Sequence, residues 1–185
     1  GTVTHCRSVM SVACAMNDWR RRCHASPGPA AQGHYRQIAV FSWLLGLDRP
    51  ERVASAGGYW DKISETPDTL LSSLYYPEGV VVNITSSTRE PASISPSVRG
   101  EKGALTILPG GIMQTDAADK EHFIAVADAP FELASTGGLA RGLRSLTASD
   151  TPFFLSSRMG HRVQETVQQC LESFERANTS GKLSV

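Results

Sequence analysis

Four consecutive side chains, His34, Tyr35, Arg36 and Gln37, stand where a polar loop runs into an amphipathic segment. An imidazole titrates near neutrality, so His34 is a candidate general acid/base. The planar fork of Arg36 suits a hydroxyl, carboxylate or phosphate of a substrate. Tyr35 and Gln37 are placed to line the same pocket. Asp18 and Trp19, in the preceding loop, are placed to close over a sugar-like ligand. Each has a plainer reading. His34 is then an exposed residue of a first helical turn, Arg36 a solvated arginine, and Asp18-Trp19 a surface loop with one packing tryptophan.

Other reactive groups give weaker signals. The four cysteines, Cys6, Cys14, Cys23 and Cys170, include no Cys-x-x-Cys. Structural zinc ligands come in closely spaced pairs, so no metal is expected, and the thiols read as buried or incidental in a reducing cytoplasm. Arg20-Arg21-Arg22 could attract an anion, but three basic residues read first as a solvated loop. His161 reads as a surface or capping residue. The formal net charge is zero, which argues against a nucleic-acid partner. No apolar run approaches the roughly 20 residues of a membrane helix. The chain begins with Gly1 rather than Met and is expected to be part of a longer protein.

The elements that must hold these groups follow from periodicity. Residues 2–14 read as a first strand, and Asn17 to Gln32, with Pro27-Gly28-Pro29, as a mobile loop. Ile38, Phe41, Leu44 and Leu45 recur at helical spacing, which predicts a helix over 34–45 with Gly46 as its left-handed stop. Trp43 is expected in the core. Short strands follow over 53–59, 69–76, 80–86, 104–108, 112–115 and 122–127, with hairpin turns at Pro77-Glu78-Gly79 and Pro109-Gly110-Gly111. A short helix is expected over 139–146. The firmest helix covers 160–177, with Val163, Val167, Cys170, Leu171, Phe174 and Ala177 on one stripe. Strands followed by helices give one α+β domain over 1–185. Its mainly antiparallel sheet of about six strands has helices on one face and the other face open.

Several motifs in this order resemble a known family. They are Trp43-Leu44-Leu45-Gly46, Thr66-Pro67-Asp68-Thr69, Tyr75-Tyr76-Pro77-Glu78-Gly79, Gly100-Glu101-Lys102-Gly103-Ala104-Leu105, Gly160-His161-Arg162 and Ser180-Gly181-Lys182. Together they are similar to the C-terminal domain of the glucose-fructose oxidoreductase / inositol dehydrogenase / rhizopine-catabolism family. The resemblance implies a dihydrodipicolinate reductase-like C-terminal domain that binds substrate and oligomerises through its open sheet face. It implies an NAD(P)-dependent oxidoreductase acting on a sugar, polyol or related hydroxy compound in the cytoplasm. NAD or NADP would be held mainly by a Rossmann domain that this chain does not contain. Gly57-Gly58, Gly110-Gly111 and Gly137-Gly138 all lack the strand-turn-helix setting of a dinucleotide loop. The chain alone is therefore expected to be inactive.

The family carries a signature resembling Asp-x-Gly-x-His-x-x-Asp just before its Trp-Leu-Leu-Gly helix end. Laid on without a gap, it puts Arg36 at the histidine, His34 at the glycine, and Gln32 and Ala39 at the acids. A two-residue shift puts His34 at the histidine and Gln37 at the second acid. Neither placement recovers the acids. The alternative expectation is thus a non-catalytic ligand-binding or assembly module with a degenerate motif.

Overall fold

In a computed structural model, residues 1–11, 19, 22–60, 63–77, 79–91, 93–108, 110–125 and 157–180 are described. A nine-residue strand, β1 (Val3–Ser11), leads toward helix α1 (Pro29–Leu45). Then come β2 (Arg52–Gly58), β3 (Thr69–Tyr75), β4 (Val81–Ser87), β5 (Ser93–Gly100), β6 (Gly103–Leu108), β7 (Gly111–Asp116) and β8 (Glu121–Ala125). Helix α2 (Ser157–Ser180) closes the described chain. The expected helix over 139–146 lies outside the described residues.

All eight strands form one sheet in the order β2-β3-β4-β1-β5-β6-β7-β8. Only β1 and β4 run parallel; every other neighbouring pair is antiparallel. The architecture is the expected α+β domain, with eight strands rather than about six. The strand absent from the sequence reading is β5, SISPSVRG, whose serines and central Pro96 lack strand character. Pro96 is tolerated because β6 pairs only with Ser97 to Gly100, so no ladder bond is needed from position 96 on that side.

Period-two alternation divides the sheet into two faces. Cys6, Ser8 and Met10 of β1, Leu70, Ser72 and Leu74 of β3, and Val82, Ile84 and Ser86 of β4 are buried on the inner face. Both helices pack there, α1 against β1, β3 and β4, and α2 against β2 and α1. From α1, Ile38 and Phe41 enter this core, and from α2 Val163, Val167, Cys170 and Phe174. That is the expected α2 stripe, except that Leu171 is only half-buried and Ala177, at its far end, is exposed. The helices stop at β1: no side chain of β5–β8 reaches full burial.

Helix α1 starts a turn and more before the expected His34. Pro29 takes the first helical position, where its missing N–H costs nothing. The far end stops as expected on Gly46, at φ 66°. Trp43 departs from expectation. It is 55% exposed, because the inward phase of α1 runs through 34, 38 and 41 and leaves 40, 43 and 44 outside.

Candidate functional site

Helix α1 runs back along the sheet, so its first turn lies near the end of β1. No side chain caps it. Instead Ser26 Oγ accepts the Gly28 N–H at 3.1 Å and the Gln32 side-chain N–H at 3.4 Å. Gly28 has φ 90°, and a Cβ there would lie 2.6 Å from Thr66, so the chain can enter the helix this way only at glycine.

His34 faces the sheet. It is fully buried, in helical phase with Ile38 and Phe41. Its Nδ1 lies 2.7 Å from Ser86 Oγ and its Nε2 3.0 Å from Ser72 Oγ. The seam continues on both sides. Ser72 Oγ lies 2.7 Å from Ser55 Oγ, and Gln37 donates to Ser86 Oγ at 2.8 Å and to the Thr85 carbonyl at 3.2 Å. Burial pushes the His34 pKa down to about 3, so the ring is neutral at physiological pH.

This geometry gives the acid/base expectation for His34 no support. A proton-transfer group must reach the atom it serves. Both nitrogens of His34 are occupied by sheet hydroxyls, and no edge of the ring meets solvent. The gapless alignment fits the helical phase better. It sets His34 where the family has glycine, against the sheet, and sets the exposed Arg36 where the family has its histidine. Among the described residues Arg36 has neither an ion pair nor a side-chain hydrogen bond.

The other predicted residues do not converge on one pocket. Gln37 is buried and locked by its three hydrogen bonds. Tyr35 is half-buried, with its hydroxyl toward Gly160 at the start of α2. Trp19 is 48% exposed. Asp18 lies outside the described residues.

Two features at this end of the sheet had gone unread. One is an ion pair. Asp68 is buried, accepts the Trp60 N–H at 3.1 Å, and takes Arg89 Nη2 and Nε at 3.2 and 3.3 Å. It ties the loop after β2 to the loop after β4. The Thr-Pro-Asp-Thr motif is the only sequence signal for it. The other is a cleft of about 410 Å3 between the loop before α1, the loop before β3, and α2. Cys23, His24, Tyr59, Glu65, Gln164 and Glu175 are among its walls. The Cys23 N–H donates to Glu65 at 3.0 Å and holds that carboxyl below its ordinary range. Partial burial, then the nearby Glu175 carboxylate, push the Tyr59 hydroxyl above its own. None of the five expected site residues that are described lines this cleft.

Among the described residues no group of three His, Cys, Asp or Glu side chains is arranged to hold a metal ion. No helix among them is long and apolar enough to cross a membrane. The free thiols of Cys6 and Cys170 are buried, which raises both pKa values to about 11, whereas Cys23 is exposed.

No family model matches the chain, and no curated protein does. Solved oxidoreductase structures do match it. UDP-N-acetylglucosamine 3-dehydrogenase GnnA from Acidithiobacillus ferrooxidans superposes with TM-score 0.77 at 13% identity, over 95% of this chain and 55% of that one. GenD2 from gentamicin A biosynthesis, in complex with NAD, gives TM-score 0.75 at 15% identity, over 96% and 54%. Levoglucosan dehydrogenase with NADH and levoglucosan gives 0.72 at 14% identity, over 95% and 57%. The fold is the one the sequence resemblance implies. The chain spans about half the length of the proteins it matches.

Proposed function

We propose that this chain is the substrate-side and oligomerisation domain of an NAD(P)-dependent oxidoreductase acting on a sugar, polyol or related hydroxy compound. The observation that carries the reading is the superposition of nearly the whole chain on about half of each of several nicotinamide-linked dehydrogenases. NAD or NADP would be bound mainly by a second domain, and the complete protein would work in the cytoplasm as a homo-oligomer. Within this domain Arg36, rather than His34, is the group α1 presents outward. A guanidinium stays charged throughout the working range, so it orients a substrate oxygen but does not shuttle protons. The acid/base must then come from another segment.

A second reading has its own support. The helix that should carry the acids holds Gln32, Gln37 and Ala39, and its histidine is sealed against the sheet. This favours a module that kept the fold and lost the chemistry.

The test uses the full-length protein with every segment its gene encodes. Nicotinamide oxidation and reduction are followed at 340 nm with a panel of sugars and polyols. The oxidoreductase reading expects turnover, with Arg36→Ala acting mainly on KM. It also expects His34→Ala to lower activity only as far as it lowers the folded fraction. Absence of turnover together with absence of NADH binding would sink that reading in favour of the module.

A further inference from the structure

We propose that two copies of the chain pack through the outer faces of β5–β8, in a register that sets Arg99 of each against the partner's Glu121. The proposal rests on the oligomerisation reading above and adds the position of the two-fold axis.

The outer face carries an uneven charge. His5 and Arg7 of β1, Arg52 of β2 and Arg99 of β5 all point to it, and the register makes His5 and Arg99 direct neighbours. The only acid that strand alternation places on this face, among the described residues, is Glu121 on the edge strand β8. Arg7 and Arg99 are exposed, and neither has an ion pair among the described residues.

Two sheets meeting face to face under a two-fold have the axis in the plane between them. An axis on β1 or on β5 stacks Arg7 or Arg99 on its own copy. Like charges directly opposed are destabilising. An axis between β1 and β5 sets Arg99 on the partner's His5. It also pairs Arg52 with the partner's Glu121, but at the two outer edges, where accumulated twist carries packed sheets apart. Arg52 is moreover already seated 3.9 Å over the Tyr75 ring.

An axis parallel to the strands between β6 and β7 behaves differently. It exchanges β5 with β8 and β6 with β7, and maps each cross-strand row onto itself. Arg99, Ala104, Thr115 and Glu121 form one such row. The single acid therefore falls opposite an unpaired cation, about one and a half strand spacings, or ~7 Å, from the axis. The apolar part of the face is then inside the interface: Leu108, 36% exposed, and Met113 flank the axis on β6 and β7, and Phe123, 47% exposed, lies one strand further out on β8.

Sedimentation velocity on the whole chain, from low to high micromolar concentration, tests this. Glu121→Arg alone and Arg99→Glu alone should each weaken the dimer by about tenfold, and the two together should restore it, as for a close charge pair. Both residues are exposed, so neither change should unfold the domain; Glu121→Gln and Arg99→Gln probe the same pair more gently. A dimer indifferent to all these changes keeps the oligomer reading and overturns the register. So does rescue of Glu121→Arg by Arg52→Glu instead of Arg99→Glu. A wild-type monomer at high micromolar concentration overturns the oligomer reading itself, and the register with it.

Discussion

One continuous sheet is built here in two ways. In β3 and β4, under the helices, every second side chain is buried and its neighbours are half-covered or exposed, apart from Ser87, which is also buried at the end of β4. In β6 and β8 no position is buried on either face. The first half makes its own core with α1 and α2. The second half is hydrogen-bonded into the same ladder yet gains little from burial. Backbone pairing extends a sheet, but desolvated apolar surface is what stabilises it. Leu105 and Ile107 on the inner face and Leu108 and Phe123 on the outer face are therefore left as exposed apolar surface.

The comparison breaks first, if it breaks, at Phe174. Its ring is 1% exposed, lies 5.5 Å from Tyr59 and fills the space beside Gly57. Phe174→Ala should cost roughly 3–5 kcal/mol of unfolding free energy in urea titrations. A loss below about 1 kcal/mol would mean that the helix-covered half is not the stable half.

His34 sharpens the comparison through pH. Its folded pKa of about 3 lies below the ordinary 6.5, so between those values the unfolded chain binds the extra proton. Stability contributed by the neutral, buried ring is fully present above pH 6.5 and is lost as pH falls toward 3. The slope contributed by this one group approaches 1.4 kcal/mol per pH unit at its steepest. His34→Gln should flatten that part of the curve, measured as urea midpoint against pH. If wild type and variant keep the same slope, the histidine is not held neutral in the folded state.

His34 also marks where the sequence stopped being legible. Positions 34, 38 and 41 share a helical face, and the apolar spacing of 38 and 41 is what predicts the helix. The phase of α1 thus already pointed His34 inward. What concealed it was side-chain chemistry, because a histidine at a loop-to-helix junction suggests an exposed proton carrier. Its burial depends on Ser72 and Ser86, which meet it only through tertiary packing. The hairpins, Gly46 and the stripe of α2 were legible because local conformation or periodicity dictates them. The fifth strand was not, since Pro96 and three serines give no local reason to be a strand. The Asp68–Arg89 pair and the cleft beside Cys23 join segments far apart in sequence, so spacing carried no trace of them.

Asp68 gives the next effect in size. Asp68→Asn keeps the shape but removes the charge that Arg89 and the Trp60 N–H share. Arg89 is about half exposed, so solvent screens the pair and the loss is smaller than for a fully buried one. A cost of about 1–2 kcal/mol is expected, below the middle of the roughly 1.5–3 kcal/mol of a hydrogen bond to a charged group because of that screening. Proteolysis between Gly58 and Thr69 should accelerate with it, since Asp68 anchors that loop. A variant with unchanged cleavage would show that the loop is held by other contacts.

The smallest effect belongs to the uncovered half. Phe123 sits on β8, where all five residues are exposed, and its ring rests mainly against Gly111 on the neighbouring strand. Phe123→Ser removes a large apolar side chain, but most of that surface is already in water. In dilute solution, where only monomer is present, the change should stay within about 0.5 kcal/mol, as for surface substitutions generally. At high protein concentration the same substitution should lower the melting temperature, because association stabilises only the folded form and the variant associates less. The pair of measurements separates the two halves of the sheet. A loss above 2 kcal/mol in dilute solution would show that β8 has a core of its own. A melting temperature independent of concentration in both proteins would show that its apolar face is not an interface.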